Sequence, residues 1–131
     1  MIRYTTNAQL DPKDLAELFD ASGIKRPTAD LPRLTKMIEN ANLTITVWDE
    51  NRLVGAARSL TDFSYCCYLS DLAVHKEYQH RGIGRELIAR TREIIGEGCS
   101  LILLAAPQAM DYYPKVGFEK IENGWIVKRG G

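Results

Sequence analysis

The chain has 131 residues, of which 45% are hydrophobic and 26% charged, with 17 Lys plus Arg set against 17 Asp plus Glu. At this length one domain with one core, residues 1–131, is expected, and a second catalytic domain is not. The even charge excludes a generic nucleic-acid binder, which needs a clustered surplus of Lys and Arg, and the longest apolar run, Leu101 to Pro107, is far short of the ~20 residues of a membrane-spanning helix.

Taken in chain order, Ile2 to Thr5 alternates weakly as a first strand. Asp11-Pro12 is a helix start, Asp as the cap and Pro in the first turn, and Leu15, Leu18 and Phe19 form its apolar stripe until Ser22-Gly23 ends it. This predicts a helix from Pro12 to about Ala21. An exposed loop over Gly23 to Thr28 leads to a second helix capped by Asp30, with Leu31, Leu34, Met37, Ile38 and Ala41 on one face. Lys25 and Arg26 in that loop could attract an anionic acceptor, but an isolated basic pair reads first as solvated.

The period then changes to two. Leu43, Ile45 and Val47 alternate with Thr44 and Thr46, and Glu50-Asn51 turns the chain into Leu53 to Arg58, a β-hairpin. Tyr65 to Val74 is the next strand. A helix is expected from Gly82 to about Ile95, and Leu101 to Ala105, apolar throughout, reads as a central strand buried on both faces. A short helix around Ala109 to Lys115 follows. A last hairpin, Phe118 to Glu122 with Trp125 to Lys128 about Asn123-Gly124, closes the chain. The order β-α-α-β-β-β-α-β-α-β-β describes an α+β domain, with a mixed, mostly antiparallel sheet covered by helices on both faces.

The N-terminus, Met1 to Asn7, lacks the apolar core and cleavage site of a signal peptide, so a cytoplasmic protein is expected. Cys66, Cys67 and Cys99 have neither metal-ligand spacing nor a disulfide framework, and read as small buried or half-buried hydrophobes. No metal is expected.

The chemistry concentrates in the segment Leu72 to Arg85, where a loop joins a strand to a helix and delivers Gly82 and Gly84 to the helix N-terminus. Backbone N–H groups there lack intrahelical partners, and with no Cβ at either glycine a diphosphate can approach them and the positive end of the helix dipole. Neither the P-loop pattern nor the dinucleotide fingerprint is present, which disfavours a nucleoside-triphosphate site. The bland reading of the two glycines is an ordinary helix start.

Gln79-His80-Arg81-Gly82-Ile83-Gly84 matches Gln/Arg-x-x-Gly-x-Gly/Ala, the pyrophosphate motif of the GNAT acyl-CoA N-acyltransferase superfamily. The strand ending Asp71-Leu72-Ala73-Val74 precedes it. Downstream, Tyr112 to Phe118 resembles the family's Phe-Tyr-x-Lys-x-Gly-Phe signature. The element order resembles the family from end to end, so the resemblance covers essentially the whole chain and implies the GNAT fold and acetyl-CoA as co-substrate. It implies that backbone groups of Leu72, Ala73 and Val74 bind the pantetheine arm like an added strand, and that amides from Gln79 through His80, Arg81, Gly82, Ile83 and Gly84 to Arg85 hold the pyrophosphate. It makes Tyr113 the general acid for the leaving thiolate, and a backbone N–H near Leu72 or Ala73 the oxyanion donor. Tyr112 reads as packing.

Two positions depart from the family pattern. Ser70 stands where many members carry the Glu that helps deprotonate the amine, and Ala106 where many place a cofactor-contacting Asn. Asp71, Asp62, or a water chain through Tyr65, Tyr68 or His75 is left to serve as base, while a carboxylate in an apolar strand also needs a structural partner. His75 and His80 read as exposed loop residues. The acceptor implied is a small-molecule or peptide amine, with neither nucleic acid nor membrane as partner. Many members are homodimers, and Trp125 is a candidate contact. The runner-up function is an acyl-CoA-binding sensor that has lost catalysis.

Overall fold

The Asp11 carboxylate accepts a hydrogen bond from the Lys13 N–H at 2.9 Å, and Pro12 stands where no N–H is needed, so the first helix, α1 (Pro12–Ser22), starts at the expected residue. It ends at Gly23, which takes the left-handed φ of 87°. In the same way Asp30 caps α2 (Leu31–Asn40) through the Arg33 N–H. The computed structural model describes residues 1–130. Its sheet has five strands in the order β1-β2-β3-β4-β5: β1 (Ile2–Thr6), β2 (Leu43–Asp49), β3 (Arg52–Thr61), β4 (Cys66–Val74) and β5 (Ser100–Ile102). The first three pairings are antiparallel and β4–β5 is parallel.

Helices cover both faces, as the alternating strands require. The third helix, α3 (Ile83–Ile95), packs Ile83, Leu87, Ile88 and Ile95 on Leu43, Ile45 and Val47 of β2 and on Val54 and Ala57 of β3. On the other face, Leu15, Leu18 and Phe19 of α1 and Leu34 of α2 cover Leu53, Ala56 and Ala73. Gly55 sets how closely α3 approaches the sheet: a Cβ there would lie 3.1 Å from Val47 Cγ2 and 3.3 Å from Ile83 Cγ2. Gly55→Ala is accordingly expected to lower stability by about 1–3 kcal/mol through overpacking, read as a lower urea midpoint; an unchanged midpoint would mean that α3 yields freely.

One irregularity in β4 matters for function. Arg58 faces Asp71 and Ser59 faces Leu69, so Ser70 is an extra residue, a β-bulge. Upstream of it Cys67 and Leu69 pack on the α3 side. Downstream, Leu72 and Val74 take over that side, while Ala73 turns to α1 and α2. β5 pairs only with Cys66, Cys67 and Tyr68. From Leu69 to Val74 the corresponding edge of β4 has no strand beside it among the described residues.

Four expectations need correction. The run Leu101–Ala105 is not a doubly buried central strand: β5 is three residues long, lies at the sheet edge, and leaves Ile102 40% and Leu104 64% exposed. The C-terminal hairpin is not formed; residues 119–130 are exposed and belong to no helix or strand, so among the described residues no strand pairs with the outer side of β5. In place of one helix near Ala109–Lys115 there are two short 3-10 turns, Pro107–Ala109 and Tyr113–Val116, each with proline in its first turn, where its missing N–H is no loss. Cys66 is exposed, because it lies on the uncovered face at the start of β4, whereas Cys67 and Cys99 are buried. Among the described residues no helix is long and apolar enough to cross a membrane.

Candidate active site

The segment between β4 and α3 is built to leave amides free. His75 caps a 3-10 turn, Lys76–Tyr78, by accepting from the Glu77 N–H, and the Gln79 side-chain amide donates to the Val74 carbonyl at 2.9 Å, tying the loop to the end of β4. His80 and Gly82 then take left-handed φ values of 66° and 82°. That bends the chain into the first turn of α3, where no side chain caps the helix. Its first amides have no backbone acceptor, and a Cβ on Gly82 would meet nothing within 4 Å. An anion has both donors and space here. Gln79, His80, Arg81, Gly82 and Arg85 are exposed, Gly84 is half-buried, and Ile83 anchors the turn in the core.

Gly84 brings three elements together. A Cβ built on it would stand 2.8 Å from the Tyr112 hydroxyl and 3.8 Å from Val74 Cγ2. Leu72 and Val74 are half-buried and Ala73 is buried along the open stretch of β4. Tyr112 and Tyr113 pack edge-to-face at 5.3 Å, and Tyr113 packs on Phe118 at 5.4 Å. The Tyr113 hydroxyl has no hydrogen-bond partner among the described residues. Burial pushes its pKa above the ordinary tyrosine value, Tyr112 adds to the rise, and Arg26 opposes it. Tyr112, read from sequence as packing alone, has its hydroxyl at the mouth of the loop, and its pKa is also raised by burial, with Arg85 acting against the rise.

Asp71 lies across β4 from Leu72 and Val74, with its side chain fully buried and held by two guanidinium groups. Arg26 Nε donates to Oδ1 at 2.6 Å and Arg58 Nε donates to Oδ2. The same two arginines grip the bulge: Arg26 donates to the Ser70 carbonyl at 2.9 Å and Arg58 to the Ser70 hydroxyl at 3.0 Å. Arg58 also donates to the Met37 carbonyl in α2, at 3.2 Å. Neither carboxylate oxygen of Asp71 is left without a guanidinium. Arg26 is thus not a solvated loop residue, because burial of Asp71 demands a counter-charge. Sequence reading misses Arg58; its signal is a lone charge in the mostly apolar run Leu53–Leu60.

The remaining candidates lie apart. Asp62 Oδ1 accepts from the Ser64, Tyr65 and Cys66 amides, and these bonds lower its pKa to about 2, which makes it a poor proton acceptor at neutral pH. Tyr65, just before β4, and Tyr68 within it are both exposed. His75 is buried, against expectation, because the 3-10 turn folds it under Tyr78 with Arg52 at 2.9 Å from its Nε2. His80 is exposed as expected.

A family profile described as Acetyltransferase (GNAT) domain matches residues 40–120. An uncharacterized N-acetyltransferase, ycf52, of Pyropia yezoensis is 27% identical over 132 residues, covering 94% of this chain and 73% of that protein. The chloroplastic GCN5-related N-acetyltransferase 2 of Arabidopsis thaliana is 26% identical over 94% of this chain, which spans only 55% of its length. Among solved structures, a probable acetyltransferase of unknown function from meticillin-resistant Staphylococcus aureus superposes with a TM-score of 0.84 at 26% identity, covering 98% of this chain and 100% of that one. The profile spans β2 through the Tyr113 segment, the same elements that assemble the free amides, the open strand edge and the tyrosines, and on that ground the chain belongs to the GNAT acetyltransferase family.

Proposed function

We propose that this chain transfers the acetyl group of acetyl-CoA to a primary amine of a small-molecule or peptide acceptor, by direct attack in a ternary complex without an acyl-enzyme. The observation that carries this reading is the meeting, at Gly84, of the uncapped N-terminus of α3, the stretch of β4 at Val74 whose outer edge has no strand beside it, and Tyr112 of the tyrosine pair. Acetyl-CoA fits that arrangement, since its diphosphate needs clustered N–H donors and its pantetheine amides need a strand edge. The fold also occurs in an aminoglycoside N-acetyltransferase solved with CoA, at a TM-score of 0.73 and 14% identity.

In this reading the amides from Gln79 to Arg85 hold the diphosphate, and the backbone of Leu72, Ala73 and Val74 pairs with the pantetheine arm. Acetyl-CoA supplies the activated thioester. A backbone N–H near Leu72 or Ala73 polarises the acetyl carbonyl. As the new C–N bond forms and the C–S bond breaks, the Tyr113 hydroxyl gives its proton to the departing sulfur, and the amine's proton passes to solvent. Asp71 acts by holding Arg26 and Arg58 around the bulge that aims those N–H groups; with both oxygens engaged it takes no proton from the amine.

Calorimetry with acetyl-CoA tests the reading. Wild type binds, and Gly82→Trp, which fills the space in front of the amides, loses roughly tenfold or more in affinity, a change of at least about 1.4 kcal/mol. A folded wild type that does not bind acetyl-CoA sinks the proposal. Binding without turnover across a broad set of amines identifies the sensor instead.

A further inference from the structure

We infer that the acceptor is a monoamine with an apolar body, whose ring or branched chain lies on an exposed row formed by Leu60, Tyr68 and Ile102, and that polycationic amines are excluded. The inference rests on the acetyl-transfer reading above and names the class of amine that the same cleft takes. Cys67 and Leu69 pack on the α3 core, so Tyr68 between them faces the opposite side of the sheet. Leu60 lies across from Tyr68 on β3, and Ile102 lies beside it on β5. Residues paired across strands share a face, so the three make one row over three strands. The row lies outside the cover of α1 and α2: Leu60 is 42%, Tyr68 39% and Ile102 40% exposed. Apolar side chains scattered singly on a surface need no explanation, but three side by side invite an apolar partner.

Two observations say what that partner is. The first is position. Tyr68 stands two residues before Ser70, roughly 7 Å along the strand, and on the face where Arg58 and Asp71 meet behind the bulge. Arg26 joins this face to the reacting end: it bonds Asp71 and the Ser70 carbonyl, and it is near enough to Tyr113 to oppose the rise of that hydroxyl's pKa. An amine held at the bulge therefore projects its substituent over Tyr68, and a short alkyl tether spans the gap. The second observation is charge. Arg26 and Arg58 share the single carboxylate of Asp71, which leaves one positive charge in excess, and Asp71, with both oxygens engaged, offers nothing to an ammonium. The excess favours the neutral form of the bound amine, which is the nucleophile, and so offsets the lack of a carboxylate at Ser70. It also repels a second ammonium group, for which the apolar row holds no counter-charge. An anionic substituent would gain from Arg26 but would lose its hydration on the same row.

Steady-state kinetics at saturating acetyl-CoA with 3-phenylpropylamine, spermidine and aspartate decide. The kcat/KM for 3-phenylpropylamine is expected to exceed that for either other amine by about tenfold or more. Tyr68→Ala is expected to raise its KM by about tenfold while kcat stays within about twofold, because the ring touches the body of the acceptor and not the reacting atoms. Ile102→Glu puts a carboxylate on the row and is expected to shift the preference toward spermidine. Calorimetry with acetyl-CoA, expected to be unchanged in both variants, reports the cofactor half of the cleft separately. Cofactor binding with spermidine or aspartate as the better acceptor overturns the inference and leaves the acetyl-transfer reading standing. A wild type that does not bind acetyl-CoA overturns that reading and this inference with it. An unaltered KM in Tyr68→Ala also overturns it, and a change of mass in light scattering of that variant would then make the row a contact between copies.

Discussion

Tyr113→Phe is expected to lower kcat by roughly 10²-fold to 10⁴-fold and to leave acetyl-CoA affinity within about a factor of two, since RT ln 2 is well under 1 kcal/mol. The substitution removes one hydroxyl and keeps the ring that packs against Tyr112 and Phe118, so its effect falls on proton delivery and not on the fold. The pH dependence has a definite sign. Burial raises the Tyr113 pKa above 10.0, so the proton-bearing form persists through neutral and mildly alkaline pH, and loss of kcat from its ionisation sets in only above the ordinary tyrosine value. A limb falling well below pH 10 would belong to another group. If Tyr113→Phe turns over at the wild-type rate, the acid lies elsewhere, and Tyr112 is next because its hydroxyl stands over the first turn of α3.

The largest loss of stability is expected from Arg58→Met. The variant keeps an apolar stem of similar length but takes away the guanidinium that holds Asp71, the Ser70 hydroxyl and the Met37 carbonyl together. Removing one partner of a buried pair costs about 3–5 kcal/mol, because the charge that stays behind is under-compensated. At this chain length that is on the order of 12–20 °C in Tm, taking about 4 °C per kcal/mol. Combining it with Asp71→Leu removes the stranded charge too and is expected to restore a good part of the loss. Urea unfolding of the two variants decides: a cost under about 1 kcal/mol for Arg58→Met would mean that the cluster is far better hydrated than its burial implies.

Most of the scaffold was legible because its signals are local. Asp11-Pro12 and Asp30 announce their helices by capping chemistry, and the switch from helical spacing to the alternation of Leu43, Ile45 and Val47 announces the sheet. The anion-binding turn was legible for the same reason, since glycines at a helix start are a backbone statement that needs no tertiary information. What failed depended on partners distant in sequence. Leu101–Ala105 is apolar enough for a central strand, but its place in the sheet is decided by whether another strand lies outside it, and among the described residues none does. The clamp on Asp71 was hidden because Arg26, Arg58 and Asp71 come from three elements, and the pairing of Arg58 with Asp71 crosses an irregular register. His75 looked like a loop residue by its neighbours and is buried by a turn whose geometry its own ring helps to set.

The bulge at Ser70 works like a frameshift in a script of period two. The letters before it are spelled in one phase and those after it in the other, which is how one short strand serves the α3 core with Cys67 and Leu69 and still turns Asp71 toward the two arginines. Were the bulge flattened into the ladder with Ser70 retained, the phase of residues 71–74 would invert, driving a carboxylate into the hydrocarbon under α3 and turning Leu72 and Val74 away from the cleft, whereas deleting Ser70 closes the bulge and keeps Asp71 opposite Arg58. The extra residue reconciles an odd count in the sequence with the two faces of the sheet, so a Ser70 deletion is expected to cost the arginine contacts to the bulge while leaving each later side chain on its own face.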